Sequence, residues 1–396
     1  MGKTIPLLVL THNYPRYRGD YAGVFISLLA SRLAGHNIKP IILSPHDRGA
    51  SEYEQIGDVT VYRFRYAEDS KDENLAYRGN MQQLAFRLPG GPFKFRRFLG
   101  CFHSAALDII EKERIQIVSG HWLVPSGLVM KKIAREKHLP MILSSHGTDI
   151  RLMMKYRKAA YRYFKQFCHS LHKWTVVSSF LKDETIKLDN KLADIVEILP
   201  LPHDETIFYR EESTQRDSNL IVSVTRFTEQ KRVDYLIKAF AIVAEKNPKA
   251  KLEIYGSGPL QTDIERLIND LNMRWKVKLF QPVPQEKLRE VYNRAGMVVL
   301  NSYREGFGLA LSEAMLCGAA VIGTDSGGIP DIVAHRERGL LVPLDDTTAL
   351  ANAIQELLDN NSLRQTLADN GYRFACDNYA SGPLAARYAQ MVQGAL

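Results

Sequence analysis

The chain has 396 residues, 45% of them hydrophobic and 24% charged, with 52 Lys and Arg against 44 Asp and Glu. That supports two domains of ordinary size with real cores, and it excludes a disordered, collagenous or small disulfide-stapled protein. The cysteines Cys101, Cys168, Cys317 and Cys376 form no Cys-x-x-Cys pair, so a reducing, cytoplasmic compartment is expected and a zinc site or disulfide framework is not.

The positive balance is local. Residues 1–200 carry 30 Lys and Arg against 19 Asp and Glu, and residues 201–396 carry 22 against 25. An anionic partner would therefore meet the first half. The first apolar run, Ile5 to Leu10, is too short for a leader or a membrane span and meets His12 and Asn13 at once.

Thr4 to Leu10 reads as a buried strand, Thr11 to Gly23 as a polar loop punctuated by Gly19 and Gly23, and Val24 to Leu33 as a helix. A loop between a strand and a helix is where a doubly wound sheet binds ligand. Its spacing is not Gly-x-Gly-x-x-Gly, which argues against a nicotinamide enzyme. Lys39 to Ser44 and Val59 to Arg65 read as further strands, and Glu68 to Gly91 as irregular, broken at Gly79 and Pro89-Gly90-Gly91. Residues 93–99, Phe-Lys-Phe-Arg-Arg-Phe-Leu, mix cations and aromatics. They read either as a segment for a bilayer interface or as a helix start with solvated charges.

Ile115 to Ser119 and Met141 to Ser144 read as strands, which puts His121 and His146 in the loops that follow them, with Asp149 close behind. Residues 151–174 form a basic-aromatic helix without an acidic residue. Arg151, Lys155, Arg157, Lys158, Arg162, Lys165 and Lys173 alternate with Tyr156, Tyr161, Tyr163, Phe164, Phe167 and Trp174. Such a helix can rest on anionic lipid or turn its aromatics inward with its cations in water. No nucleic-acid-binding motif accompanies it, so nucleic acid is not an expected partner. Leu199-Pro200-Leu201-Pro202 reads as the interdomain junction, dividing 1–200 from 201–377.

The second half opens with the strand Leu220 to Val224, a turn bearing Arg226 and Lys231, and the helix Val233 to Val243. Leu252 to Tyr255 leads to Gly256, where a ligand can approach the backbone, and Lys276 to Phe280 leads to the turn holding Val283. Met297 to Val333 reads as strand, loop, helix, strand, loop: a parallel βαβ unit. Thr347 to Leu358, Leu363 to Phe374 and Leu384 to Val392 read as helices.

The βαβ unit concentrates the chemistry. Glu305 lies at the mouth of its helix and Glu313 about one turn inside. Between them the amides of Gly306, Phe307, Gly308 and Leu309 precede or begin the helix and lack helical partners, which makes an anion site. Carboxylates flanking a phosphate serve best as hydroxyl acceptors, so a sugar nucleotide is the natural ligand. A surface helix with a capping and a solvated glutamate is the plain alternative.

Glu305-Gly-Phe-Gly-Leu-Ala-Leu-Ser-Glu313-Ala-Met, with the Cys317 to Val333 continuation, closely resembles the Glu-x7-Glu signature of the retaining glycosyltransferases of family 4. Other patches match along nearly the whole chain. The resemblance implies an α/β fold of two doubly wound Rossmann-like domains facing across a cleft, the GT-B type, with a terminal helix of about 378–396 returning to the first domain. It implies transfer of a sugar from a nucleoside-diphosphate sugar to a glycan, lipid or small-molecule acceptor, with retention of configuration. Arg226 and Lys231 match the pair that clamps the diphosphate, Glu305 the sugar-binding carboxylate, and Glu313 the ribose-binding one. Gly306 to Leu309, Gly256, Val283 and a glycine of the first loop, Gly19 or Gly23, would line the donor site. His121 matches the histidine beside the reacting sugar, and His146 and Asp149 match an acceptor-side motif. No Asp-x-Asp occurs, so neither a metal nor a cofactor is expected. The chain departs from the family in having Arg232 for a glycine, Gln281 for a glycine, and Pro-Leu-Pro-His203-Asp204 where Pro-Asn-Gly-Val-Asp is usual. The rivals are an epimerase or phosphorylase of the same fold and a non-catalytic sugar-nucleotide-binding or membrane-adaptor protein. The enzyme would work in the cytoplasm, at the inner face of a membrane if the basic segments bind it.

Overall fold

The computed structural model describes residues 4–78, 81, 84 and 87–396, the side chains of 157–160 apart, so Gly79, Arg157 and Lys158 fall wholly or partly outside the described residues. The chain divides into two compact units, Met1–Val177 with Leu181–Pro202 and Ser381–Leu396, and Ser178–Phe180 with His203–Ala380.

In the first unit the short apolar runs form strands β1 Ile5–Leu10, β2 Ile38–Pro45, β3 Tyr53–Ile56, β4 Val59–Phe64, β5 Ile117–His121, β6 Met141–Ser145, β7 Lys173–Val176 and β8 Val196–Ile198. Their order is β3-β4-β2-β1-β5-β6-β7-β8, parallel throughout except for the β3–β4 hairpin. Near-continuous apolar runs without alternation suit strands covered on both faces. The terminal helix Ser381–Gly394 joins this unit, where Leu384, Tyr388 and Val392 pack with Leu7, Ile26 and Ile42.

The second unit has β9 Asp217–Val224, β10 Lys251–Tyr255, β11 Val277–Phe280, β12 Ala295–Leu300, β13 Ala320–Thr324 and β14 Leu340–Val342, in the order β11-β10-β9-β12-β13-β14 and all parallel. Its core joins Ile221, Phe240, Leu252, Met297, Ile322 and Ile354. At roughly 1.5–3 kcal/mol for each fully buried aliphatic or aromatic side chain, these clusters dominate the stability of their units.

Several elements differ from the sequence reading. Residues 151–174 are not one helix: Thr148–Lys155 and Arg157–His169 are separate helices, and Trp174 sits fully buried in β7. Phe164 and Phe167 also turn inward, while Tyr156 and Tyr163 stay exposed. An alternation of cations and aromatics does not reveal which aromatics a neighbouring sheet will cover. Residues 93–99 begin the helix Gly91–Lys112, with Phe98 buried and Phe93 exposed. His121 is the last residue of β5 rather than a loop residue. The hairpin strand β3 and the helices Gln261–Asp270 and Gln285–Arg294 carry too few apolar residues to stand out in the sequence, and β14, three residues long, is too short.

Candidate functional site

In each unit the strand order reverses at one place, between β1 and β5 in the first and between β9 and β12 in the second. Loops leaving the carboxyl ends of those strands diverge to opposite sides of the sheet and leave a crevice, the usual ligand site of such folds. The loop carrying Arg226 and Lys231 follows β9, and the loop carrying Glu305 follows β12.

These two loops are joined by direct bonds. The Lys231 ammonium pairs with Glu305 Oε2, and the Ser302 hydroxyl donates to the same oxygen at 2.8 Å. The Tyr303 amide donates to the Gln230 carbonyl at 2.8 Å, and Gln230 Nε2 donates back to the Tyr303 carbonyl at 3.1 Å. On its other side the loop is held by β13, where the Thr324 hydroxyl donates to the Ser302 carbonyl at 2.7 Å. Arg226 is exposed at the end of β9, and no carboxylate pairs with it among the described residues. Gly256 lies beside this turn. A Cβ there would come within 1.8 Å of the Thr225 carbonyl oxygen, so only glycine lets β10 end against the turn bearing Arg226.

The helix Leu309–Leu316 has Gly308 at its N-cap, no side-chain cap and no acid in its first turn. Its leading amides are therefore left without side-chain acceptors, and its positive end faces the loop. Glu313, half-buried on this helix, accepts a 3.0 Å hydrogen bond from the hydroxyl of the buried Tyr292. Burial pushes the Glu313 carboxyl up to about 7, and the Tyr292 bond opposes the shift. The turn bearing Val283 follows β11, whose Phe280 stacks on Tyr255 with centroids 4.6 Å apart. The second unit thus gathers two cations, an uncapped helix terminus and two carboxylates at its crevice. That set can neutralise a diphosphate and accept bonds from hydroxyls.

In the first unit His12 follows β1, His121 ends β5 and His146 follows β6, so three adjacent parallel strands deliver three imidazoles. His121 and His146 stack at 5.2 Å, with Nδ1 of the former and Nε2 of the latter 3.0 Å apart. One ring nitrogen donates and the other accepts. Trp122 packs edge-on to His12 at 4.6 Å and to His146 at 4.7 Å, and Phe25 to His146 at 4.8 Å. Burial lowers the histidines to about 4 for His12 and about 3 for His121, and well below the usual value for His146. All three are neutral near pH 7.

Asp149 is fully buried and lies beneath this group. Its Oδ2 accepts from the Leu123 amide at 3.1 Å and from the Ser145 hydroxyl at 2.6 Å, and burial raises its carboxyl. It braces the backbone just after Trp122, which adopts a left-handed φ of 64°, strained for a bulky side chain. The loop glycines also part ways. A Cβ on Gly23, at φ 61°, would meet the Asn13 carbonyl oxygen at 2.0 Å, whereas Gly19 borders open space.

Tyr292, Ser302, His12, Phe25 and Trp122 were not among the candidate residues. Ser302 stands three residues before Glu305, a local hint. Trp122 follows His121 directly, a second local hint, whereas His12, Phe25 and Tyr292 reach the site only through the tertiary fold, which spacing along the chain does not report.

The family model of the glycosyl transferases group 1 matches residues 205–374, and that of glycosyltransferase family 4 matches residues 22–205. An uncharacterized glycosyltransferase of Methanocaldococcus jannaschii is 30% identical over 268 residues, covering 68% of this chain and 72% of that one. A GDP-mannose-dependent alpha-(1-6)-phosphatidylinositol monomannoside mannosyltransferase of Mycolicibacterium smegmatis is 22% identical over 406 residues, covering 98% of each. Among solved structures, the Anabaena protein HepE in complex with UDP shares the fold with a TM-score of 0.73 at 14% identity, over 98% of this chain and all of that one. With both halves matched and the archaeal relative aligned over most of its length, this chain belongs to the group 1 glycosyltransferases of family 4.

Proposed function

We propose that this glycosyltransferase moves a sugar, with retention of configuration, from a nucleoside-diphosphate sugar to a glycan or lipid acceptor of the cell envelope. The observation that carries the reading is the crevice between β9 and β12, where Arg226, Lys231 and an uncapped helix terminus lie between Glu305 and Glu313. Arg226, Lys231 and the Gly306 to Leu309 amides take the diphosphate and stabilise it as leaving group. Glu305 takes sugar hydroxyls and Glu313 the ribose diol, with Gly256 and Val283 beside the nucleoside. Gly23 is the glycine of the first loop that permits close approach. His121 serves the reacting centre, His146 orients it, and Asp149 braces both from beneath. The leaving phosphate helps deprotonate the acceptor. The fixed cations carry the phosphate charge, so neither metal nor cofactor is required. The mannosyltransferase named above, matched over nearly its whole length, supports a lipid or glycan acceptor.

The same reading places the enzyme against a cytoplasmic membrane face. Arg151, Lys155, Arg162, Tyr163 and Lys165 are exposed on adjacent helices and Tyr156 at their junction, as are Phe93, Arg96 and Arg97 on another helix. At about 1 kcal/mol per cation near anionic lipid, these suffice for reversible binding. Among the described residues no helix is long and apolar enough to cross a membrane.

Calorimetry with UDP, GDP, ADP and their sugars tests the donor reading, and turnover in EDTA tests metal independence. Binding of one nucleotide series is expected, and no binding at all refutes the proposal. Flotation with phosphatidylglycerol vesicles, expected to weaken with salt, tests the membrane arm separately.

A further inference from the structure

His203 enters the second unit within the segment Pro-Leu-Pro-His-Asp, a departure from the Pro-Asn-Gly-Val-Asp that the family resemblance leads one to expect. A connector residue would be expected to be solvated. His203 is instead buried; one hydrogen bond ties it to the helix Leu309–Leu316, and Tyr379, Ala380 and Phe208 hold it on other sides.

Its Nε2 lies 2.7 Å from the hydroxyl of Ser312, itself fully buried. The Ser312 hydroxyl also reaches the Leu309 carbonyl at 3.0 Å. With the hydroxyl proton on that carbonyl, Ser312 Oγ accepts from His203 in its Nε2–H tautomer, the assignment that gives both contacts a proton. Burial lowers this histidine to about 3, so the ring is neutral. The His203 amide donates to the Tyr379 carbonyl at 2.9 Å, and His203 forms a parallel bridge with Ala380. The ring meets Tyr379 edge-on at 6.5 Å, and Tyr379 in turn meets Phe307 at 5.4 Å. It also meets Phe208 at 6.2 Å, and Phe208 lies 6.2 Å from Tyr292, the residue bonded to Glu313.

We propose that His203 is a positioning residue for the nucleotide-binding helix, setting through Ser312 how that helix presents its leading amides and Glu313. Two bonds on consecutive residues, His203 to Ser312 and Tyr292 to Glu313, leave the helix on two different faces, because neighbouring residues point about 100° apart. One bond alone would let the helix turn about its axis. Both together fix its azimuth, and Phe208 wedges the two donors apart. Tyr379 and Phe307 brace the loop ahead of the helix from the same side. Valine at position 203 would fill much of the space but leave Ser312 without its donor. The inference rests on the donor reading above, since it assigns His203 to that same site.

The test compares the full-length chain with His203→Val, His203→Gln and Ser312→Ala, and with the double variant His203→Val/Ser312→Ala. His203→Val is expected to weaken UDP or GDP about five- to tenfold, the effect of one net hydrogen bond. Donor KM rises accordingly, while kcat and acceptor KM stay within about twofold. Hydrogen exchange at the Leu311 to Met315 amides quickens. Gln, which can still offer an N–H, restores binding and protection. Ser312→Ala removes the same bond from the other side if the valine variant folds poorly, and the double variant should be no worse than either single one. Unchanged affinity and exchange in both single variants, or effects that simply add, overturn the proposal. Should the unaltered chain bind neither UDP nor GDP, the donor reading falls, while the exchange comparison still decides the His203 link.

Discussion

Lys231 and Glu305, 74 residues apart, meet at one carboxylate oxygen that also takes the Ser302 hydroxyl. The pair is mostly shielded, with side-chain exposures of 13% and 17%. Each partner is assigned a different part of the donor, so each competes with the other's ligand. Glu305→Gln leaves the ammonium free for phosphate. We expect UDP or GDP to bind roughly fivefold tighter, about 1 kcal/mol, while sugar transfer drops at least tenfold. Lys231→Ala should weaken the nucleotide and destabilise the fold by about 1–3 kcal/mol, because a shielded carboxylate loses its counter-charge. The double variant should recover stability and not affinity. Calorimetry and thermal melts of the four proteins read both effects.

Glu313 gives the site a pH dependence. Its carboxyl stands at about 7 in the folded chain against 4.5 for the free group, chiefly through burial. A raised carboxyl binds its proton more tightly when folded. Its contribution to stability is therefore complete below about pH 4.5 and fades as pH rises through about 7. Because the side chain is partly exposed, the loss between pH 6 and 8 should be only on the order of 1 kcal/mol. Glu313→Gln should remove that slope in thermal melts. Ribose hydroxyls favour the ionised form, so nucleotide affinity should climb severalfold from pH 6 to 8 in the unaltered chain and stay flat in the variant.

The first loop offers a contrast between two glycines. Gly23→Ala places a methyl group against the Asn13 carbonyl at a left-handed φ, and should destabilise the fold by about 2–4 kcal/mol. Gly19→Ala meets open space and bears only the left-handed penalty, about 1 kcal/mol. Urea melts of the two variants separate these outcomes. Equal midpoints would contradict the close packing.

Asp149 should act through the backbone it holds. Asp149→Ala strands the Leu123 amide and the Ser145 hydroxyl and should cost about 2–4 kcal/mol. Asp149→Asn keeps an acceptor for them. It should preserve the fold, nucleotide affinity and most of the transfer, whereas Asp149→Ala loses transfer with the placing of Trp122 and His121. Measuring kcat beside the UDP or GDP Kd distinguishes this from general unfolding.

The parallel strands, the Glu305 to Glu313 spacing and the cations after β9 were legible in the chain itself. Apolar runs of five to eight residues bounded by turns have one stable use, and a glycine loop opening a helix exposes amides wherever it occurs. The basic-aromatic stretch 151–174 was only half legible. Its charges are local, but the sheet that swallows Trp174, Phe164 and Phe167 is not.

His203 shows the limit most clearly. In sequence it is one departure in a proline-rich connector, and in the fold it is bonded to Ser312, 109 residues away. The same holds for Lys231 with Glu305 and for Tyr292 with Glu313. Local spacing determined which residues share a loop or a helix face. Which of them touch was decided by strand order, because neighbours across a doubly wound sheet are set by crossovers whose length leaves no mark on the residues they bring together.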